Sequence, residues 1–286
     1  MTKSPNPYAE AYAGFLRSTA DHGLVILQDD GLYRHLRVQK PNTRMWSWDV
    51  VTWPGHLATS GDIADGYIFA RNPDMLTFFE LPQWQQHYYS DGAPGIDVRY
   101  WAEKICGDRA QDIKRYDKDV FLRHVRATLD EHEELSEGAI AEVRANDTTE
   151  ADHLAEQRAD KLHRAEISSD SECYAREWLQ HPEQAEIFGE DASWDWVLSA
   201  YTSHFVVSCY CIELTVRLYR EAQARAQVDA VVELAKKSLA RELRALKLRR
   251  RHTEKAAAIK ARIRAAHAGI TLLTRSSGGS AETTQK

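Results

Sequence analysis

TWPGHLATSGDIADGYIFARNPDMLTFF, residues 52–79, decides how the chain is read. Short apolar runs alternate in it with turn residues: Pro54-Gly55, Gly61-Asp62, Asp65-Gly66 and Asn72-Pro73-Asp74. Glycine, proline and aspartate give up backbone freedom at defined turn positions, so the runs between them are fixed in direction. Two short strands are expected, at about 57–60 and 67–70. The Pro-Asp step then opens a short helix that carries Met75, Leu76, Phe78 and Phe79.

Working outward toward the N-terminus, residues 45–53 are rich in β-branched and aromatic side chains and read as a strand. Residues 24–27 and 32–39 form a hairpin about Asp29-Asp30-Gly31, with Leu32, Leu36 and Val38 on one side and Tyr33, His35 and Arg37 on the other. A first helix is expected over about 8–22, capped by Gly23. Toward the C-terminus, VRYWAEKI (98–105) reads as a helical turn with Tyr100, Trp101 and Ile105 inward.

From residue 118 the pattern predicts helices alone. Val120, Phe121, Val125 and Leu129 hold one face to about residue 134, and a second helix spans 136–145. Residues 148–166 are charged, with little apolar face, and read as a solvated helix or a mobile connector. A helix over 171–180 stops at His181-Pro182. Residues 194–224 are apolar on all sides and are expected to be the centre around which the helical region packs, with Glu213 and Arg217 paired four residues apart. The last helix, about 228–267, is basic and amphipathic in two registers, Leu239, Leu243, Leu246 and then Ala256, Ile259, Ile263, Ala266, with a break at Arg249-Arg250-Arg251. The expected class is therefore α+β: a small antiparallel sheet with flanking helices over residues 1–117, a mainly helical region over 118–275, and a tail over 276–286 that is disordered by composition.

A chain of 286 residues with 43% hydrophobic content buries a core. It opens without a charged leader and contains no apolar run of membrane length, which points to a cytoplasmic protein with no membrane partner. Cys106, Cys173, Cys209 and Cys211 include no C-x-x-C pair, so neither a zinc site nor a disulfide framework is supported, and no cofactor is expected. The formal charge of −6 hides an asymmetry. Residues 236–264 hold twelve lysines and arginines against Glu242 and Glu254, leaving 25 basic and 41 acidic side chains in the rest. A basic appendage of this kind meets an anionic partner or docks on its own acidic body.

Three groups of residues are candidate sites. His56, Asp62 and Asp65, with Asp49 and His35 from neighbouring strands, have the chemistry of a metal site or an acid–base pair, although turn formation alone accounts for the same residues. Trp46, Trp48, Trp53, Tyr67 and Phe69, interleaved with Arg34, Arg37, Arg44 and Arg71, have the composition of a base-stacking platform, or of an ordinary half-buried sheet. Arg244, Lys247, Arg249, Arg250, Arg251, Lys255 and Arg262, with Lys260 and Arg264, supply cations for phosphates along a helix whose apolar stripe also fits a dimer seam or a docking surface. There is no P-loop, G-x-S-x-G, H-E-x-x-H or Rossmann fingerprint, so the commoner nucleotide and hydrolase chemistries lack sequence support.

The blocks VVTWPGHLATSGDIADGYIFARNPDMLTFF, YWAEKI and HFVVSCYCIELTVRLY resemble a family of proteins encoded by tailed bacteriophages and prophages, for which no activity is established. The likeness is carried by Thr52-Trp53-Pro54-Gly55, Gly61-Asp62, the strand at 67–70 and Asp74-Met75. Ile63-Ala64 stand where relatives often have Met-Gly, and the basic C-terminal helix has no counterpart. The resemblance implies phage origin and action in the host cytoplasm. The expectation is a phage accessory protein that binds a host or phage macromolecule without catalysis, with counter-defence among its roles. The alternatives are a nucleic-acid-binding protein using the basic C-terminal helix and a metal-dependent enzyme acting on nucleic acid or nucleotides, so catalysis stays open. The partner is then a host or phage protein or a nucleic acid, with homo-oligomerisation through the C-terminal helix a further expectation.

Overall fold

The structure, a computed structural model, describes residues 3–64, 66–248 and 253–278, with side chains up to residue 244 and over 259–272. The chain divides into two compact units, Met1–Leu218 and Tyr219–Lys286. The first begins with α1 (Ala9–Thr19) and a five-stranded antiparallel sheet whose strands lie in sequence order: β1 (Gly23–Asp30), β2 (Tyr33–Gln39), β3 (Trp48–Trp53), β4 (His56–Gly61) and β5 (Ile68–Ala70). Then come α2 (Met75–Phe79), α3 (Val98–Ala102) and β6 (Lys114–Tyr116). Six helices follow, α4 (Lys118–Glu131), α5 (Glu137–Arg144), α6 (Thr148–Ser168), α7 (Glu172–Gln180), α8 (Pro182–Phe188) and α9 (Ala192–Asp195). The order closes with β7 (Ser199–Tyr201), α10 (Ser203–Leu248) and α11 (Thr253–Gly278).

The sheet follows the period of two expected for one buried face. Leu36, Val38, Trp48, Val50, Leu57 and Phe69 are buried, and the register sets Val38 opposite Trp48, Leu36 opposite Val50 and Leu57 opposite Phe69. The hairpin of β1 and β2 turns across Gly31-Leu32, with Gly31 at φ 62°. Two boundaries differ from the sequence reading. β3 begins at Trp48, not near residue 45, because Trp46 sits at φ 59° and gives its amide N–H to Asp62 Oδ2 at 2.8 Å, which makes the preceding segment a turn. Gly23 is the first residue of β1 rather than a helix cap, and α1 ends at Thr19.

Helix starts obey the capping rule. Asp74, Asp97, Asp117, Ser136, Asp147 and Ser171 each accept a backbone N–H at the start of their helix. Asp74 also receives the Arg34 guanidinium on both oxygens, at 3.0 and 3.1 Å. Near α3, Trp101 is buried as expected, but Tyr100 is 40% exposed, with Lys104 Nζ 4.3 Å above its ring.

Helices α4 to α9 share one core, including Phe121, Val125, Leu129, Leu154, Leu179 and Phe188. The highly charged α6 is neither solvated all round nor a connector, since Ala151, Leu154 and Ala165 are buried in it. The expectation of helices alone beyond residue 118 is also corrected. β7 pairs antiparallel with β6, Asp117 N–H donates to Leu198 O at 2.9 Å, and Thr202 N–H donates to Ile113 O at 2.8 Å. The two ends of the 117–198 segment are thereby tied together.

The long apolar helix starts at Ser203, not at 194: Trp194 is 74% exposed and Val197 61% exposed, outside it. The first part of α10 is buried through Phe205, Val206, Cys209, Tyr210, Cys211, Ile212 and Val216. It packs on the sheet and α1 rather than forming the centre of the helical lobe. Trp48 Nε1 donates to Thr215 Oγ1 at 2.8 Å, the Phe15 and Tyr210 rings lie 5.7 Å apart, and those of Tyr67 and Phe205 5.3 Å.

The second unit holds the rest of α10 and α11. Val232, Leu239 and Leu243 in α10 and Ile259, Ile263 and Ile270 in α11 are half-buried, in mirrored seven–four and four–seven spacings. α11 runs on to Gly278, past the start of the tail expected from Ser276. The predicted break at Arg249-Arg250-Arg251 lies outside the described residues.

Candidate functional site

His56 and Asp62 stand at opposite ends of β4, about 20 Å apart at the rise of an extended strand. The His56 ring stacks on Trp53 with centroids 5.0 Å apart and planes at 7°, its Nδ1 3.1 Å from Pro54 O, while Asp62 accepts the Trp46 N–H. Both have local structural partners. Asp65 lies outside the described residues. His35 and Asp49 do meet, with Nε2 3.2 Å from Oδ2, and Asp49 also receives Arg37 at 2.6 and 2.8 Å. Burial pushes the Asp49 carboxyl upward, but hydrogen bonds from Arg37 and His35 outweigh it and hold the group below the usual carboxylate range. Arg37 faces Asp49 in the β2–β3 register, so this is a cross-strand ion-pair cluster. Among the described residues no group of three His, Cys, Asp or Glu side chains is placed to hold a metal.

The aromatic residues do not form a platform. Trp48, Tyr67 and Phe69 are buried in the core, whereas Trp46 is exposed. Arg34 is engaged by Asp74 and Arg37 by Asp49, which removes two of the four cations that the stacking arrangement needed.

The basic residues fall in the second unit. Arg244 and Arg262 are exposed; Lys247 and Lys255 lie on α10 and α11 with side chains outside those described, and Arg249, Arg250 and Arg251 lie outside the described residues altogether. The structure adds Lys237 and Arg241, which the sequence reading did not select. At about 100° per residue, Lys237, Arg241 and Arg244 fall within roughly 60° of one another on α10, on the side away from Val232, Leu239 and Leu243. All three are exposed; none makes a direct ion pair among the described residues, although the Glu233 carboxyl, one turn back from Lys237, is held below the usual range by its hydrogen bond from Lys236 with help from the nearby Lys237. On α11, Lys260 and Arg264 share one face and Arg262 lies across the helix from them. Helical periodicity was the available signal for this stripe.

A second feature lies in the first unit. Tyr67, Arg109, Arg115 and His204 line a cavity of about 670 Å³ beside β6, β7 and the start of α10. The Tyr67 hydroxyl is 2.9 Å from His204 Nδ1. No sequence pattern joins these residues, because they come from four separated segments. Among the described residues no helix is long and apolar enough to cross a membrane.

The chain matches no protein-family model, no curated protein and no solved structure. The resemblance to phage-encoded proteins therefore stands on the quoted residues alone.

Proposed function

We propose that the protein works by binding, and that its ligand is a nucleic acid held along the cationic stripe of the C-terminal unit. The observation that carries this reading is the alignment of Lys237, Arg241 and Arg244 on one exposed face with no direct ion pair among the described residues. The three span about 10 Å of helix axis, a scale on which one nucleic-acid strand presents several phosphates. Acidic residues dominate the remainder of the chain, so the stripe concentrates the attraction for a polyanion at one place. If the phage resemblance holds, this binding takes place in an infected cell. A protein partner is the second reading, favoured by Val228, Val231 and Leu234, which are 53%, 67% and 70% exposed on α10.

Anisotropy titrations of a labelled duplex and a labelled single strand, repeated over a series of salt concentrations, test the proposal. Binding is expected to weaken steeply with salt, and the variant carrying Lys237→Glu, Arg241→Glu and Arg244→Glu is expected to flatten the log–log slope by about 3. The reading fails if wild-type protein does not bind either probe at low salt. It fails equally if the triple variant, with unchanged helical circular dichroism, binds as wild type does.

A further inference from the structure

We propose that the cavity between the Gly66–Tyr67 segment, β6, β7 and the start of α10 binds a terminal phosphate dianion. This goes beyond the nucleic-acid reading, which rests on residues of the other unit. The argument begins with which polar groups lining the cavity already have partners and which do not.

Of the two carboxylates, Asp117 is committed and Asp112 takes no hydrogen bond from Arg109. Asp117 Oδ1 accepts the N–H groups of Asp119 and Val120 at 2.8 and 3.1 Å and so caps α4. Asp112 lies 3.9 Å from Arg109 Nη1. The donors are in surplus. Arg115 is exposed on β6 opposite the small Ala200 and makes no ion pair among the described residues. Among the described residues Arg109 has one carboxylate near it, Asp112, at a distance too long for a hydrogen bond, so its N–H groups are not taken up by that contact. His204 spends Nδ1 on the Tyr67 hydroxyl, and Nε2 has no partner among the described residues. Tyr67 is 2% exposed, so the post that holds this imidazole is fixed in the core.

Gly66 positions the first guanidinium. It sits at φ 86°, and a Cβ built there would stand 2.5 Å from Arg109 Nη2, 3.1 Å from Cζ and 3.2 Å from Nε. The guanidinium therefore occupies the space that a side chain at Gly66 would take, and any larger residue there would displace it. Two guanidinium forks, one imidazole nitrogen and the Ser203 hydroxyl offer more donors than a carboxylate accepts, whereas a terminal phosphate has three oxygens for them. The cavity, about 670 Å³, is also in the range of roughly 300–1,000 Å³ typical of small-molecule sites. It has room for an organic remainder against Tyr116 and Tyr201.

Calorimetric titration of the full chain with inorganic phosphate, phenyl phosphate and phenol tests the assignment. Saturable binding of the two phosphates and none of phenol is expected. Tighter binding of phenyl phosphate assigns a phosphate monoester as the ligand, and equal affinity assigns the free ion. Arg115→Ala, at an exposed position, is expected to weaken phosphate binding about tenfold or more, with part of the loss recovered in Arg115→Lys. Absence of saturable binding by both phosphates overturns the proposal, as does phenol binding on a par with phenyl phosphate or an Arg115→Ala protein that binds phosphate like wild type. The Lys237, Arg241 and Arg244 variant is expected to bind phosphate normally, so failure of one proposal is distinguishable from failure of the other.

Discussion

Gly61 shows how a single residue fixes the entry to the sheet. It lies at φ 127°, and an added Cβ would meet Ser47 O at 2.5 Å and Trp48 Cα at 2.7 Å, both backbone atoms that cannot swing aside. Gly55 has a positive φ of 80° too, but open space around it. Gly61→Ala is therefore expected to cost about 3 kcal/mol or more and Gly55→Ala only about 1 kcal/mol, measured by urea denaturation. Equal costs would show that φ alone matters at Gly61. The sequence marked both glycines as turn residues. It did not mark which one was crowded, because the crowding comes from β3, the neighbouring strand in the ladder. The same holds for His56 and Asp62: their residue types fit a metal site, and only the extended path of β4 between them separates them.

At the scale of the element, helices were legible through the spacing of their apolar residues and strands through their alternation. The helices expected from 74, 136 and 171 are present, and the structure shows Asp74, Ser136 and Ser171 capping them. β6 and β7 were illegible because three residues carry no period, and their pairing depends on contacts across the whole 117–198 segment. α6 was misread for a different reason. Its charges hide a narrow stripe of Ala151, Leu154 and Ala165, and alanine contributes little to an apolar pattern while allowing close helix approach. Ala165 is fully buried, so Ala165→Leu is expected to overpack the lobe and cost about 1–3 kcal/mol in chemical denaturation. A solvated or mobile α6 would accept the larger side chain without loss, and that result would overturn its place in the core.

At the scale of the whole molecule, α10 takes part in two bodies. Its first part is buried against the sheet through Thr215, Cys211 and Phe205, whereas from Val228 to Leu234 it carries exposed apolar side chains. Opening of a helix follows the packing of each part rather than its continuous backbone. Hydrogen exchange is accordingly expected to show slow amides over 203–218, at the level of β2 and β3, and faster amides over 226–240. Uniform protection along α10 would contradict the division at Leu218.

The sequence by itself determined the α+β class, the meander of short strands, the approximate places of most helices, and the basic charge of the C-terminal helices. These follow from local chemistry: turn residues, periodicity and composition act within a few residues of where they stand. Only the tertiary structure decided that α10 packs on the sheet, that the helical lobe is closed by β6 and β7, and that Tyr67, Arg109, Arg115 and His204 line one cavity. Those outcomes depend on which distant surfaces bury each other, and burial between residues far apart in the chain leaves no periodic trace along it.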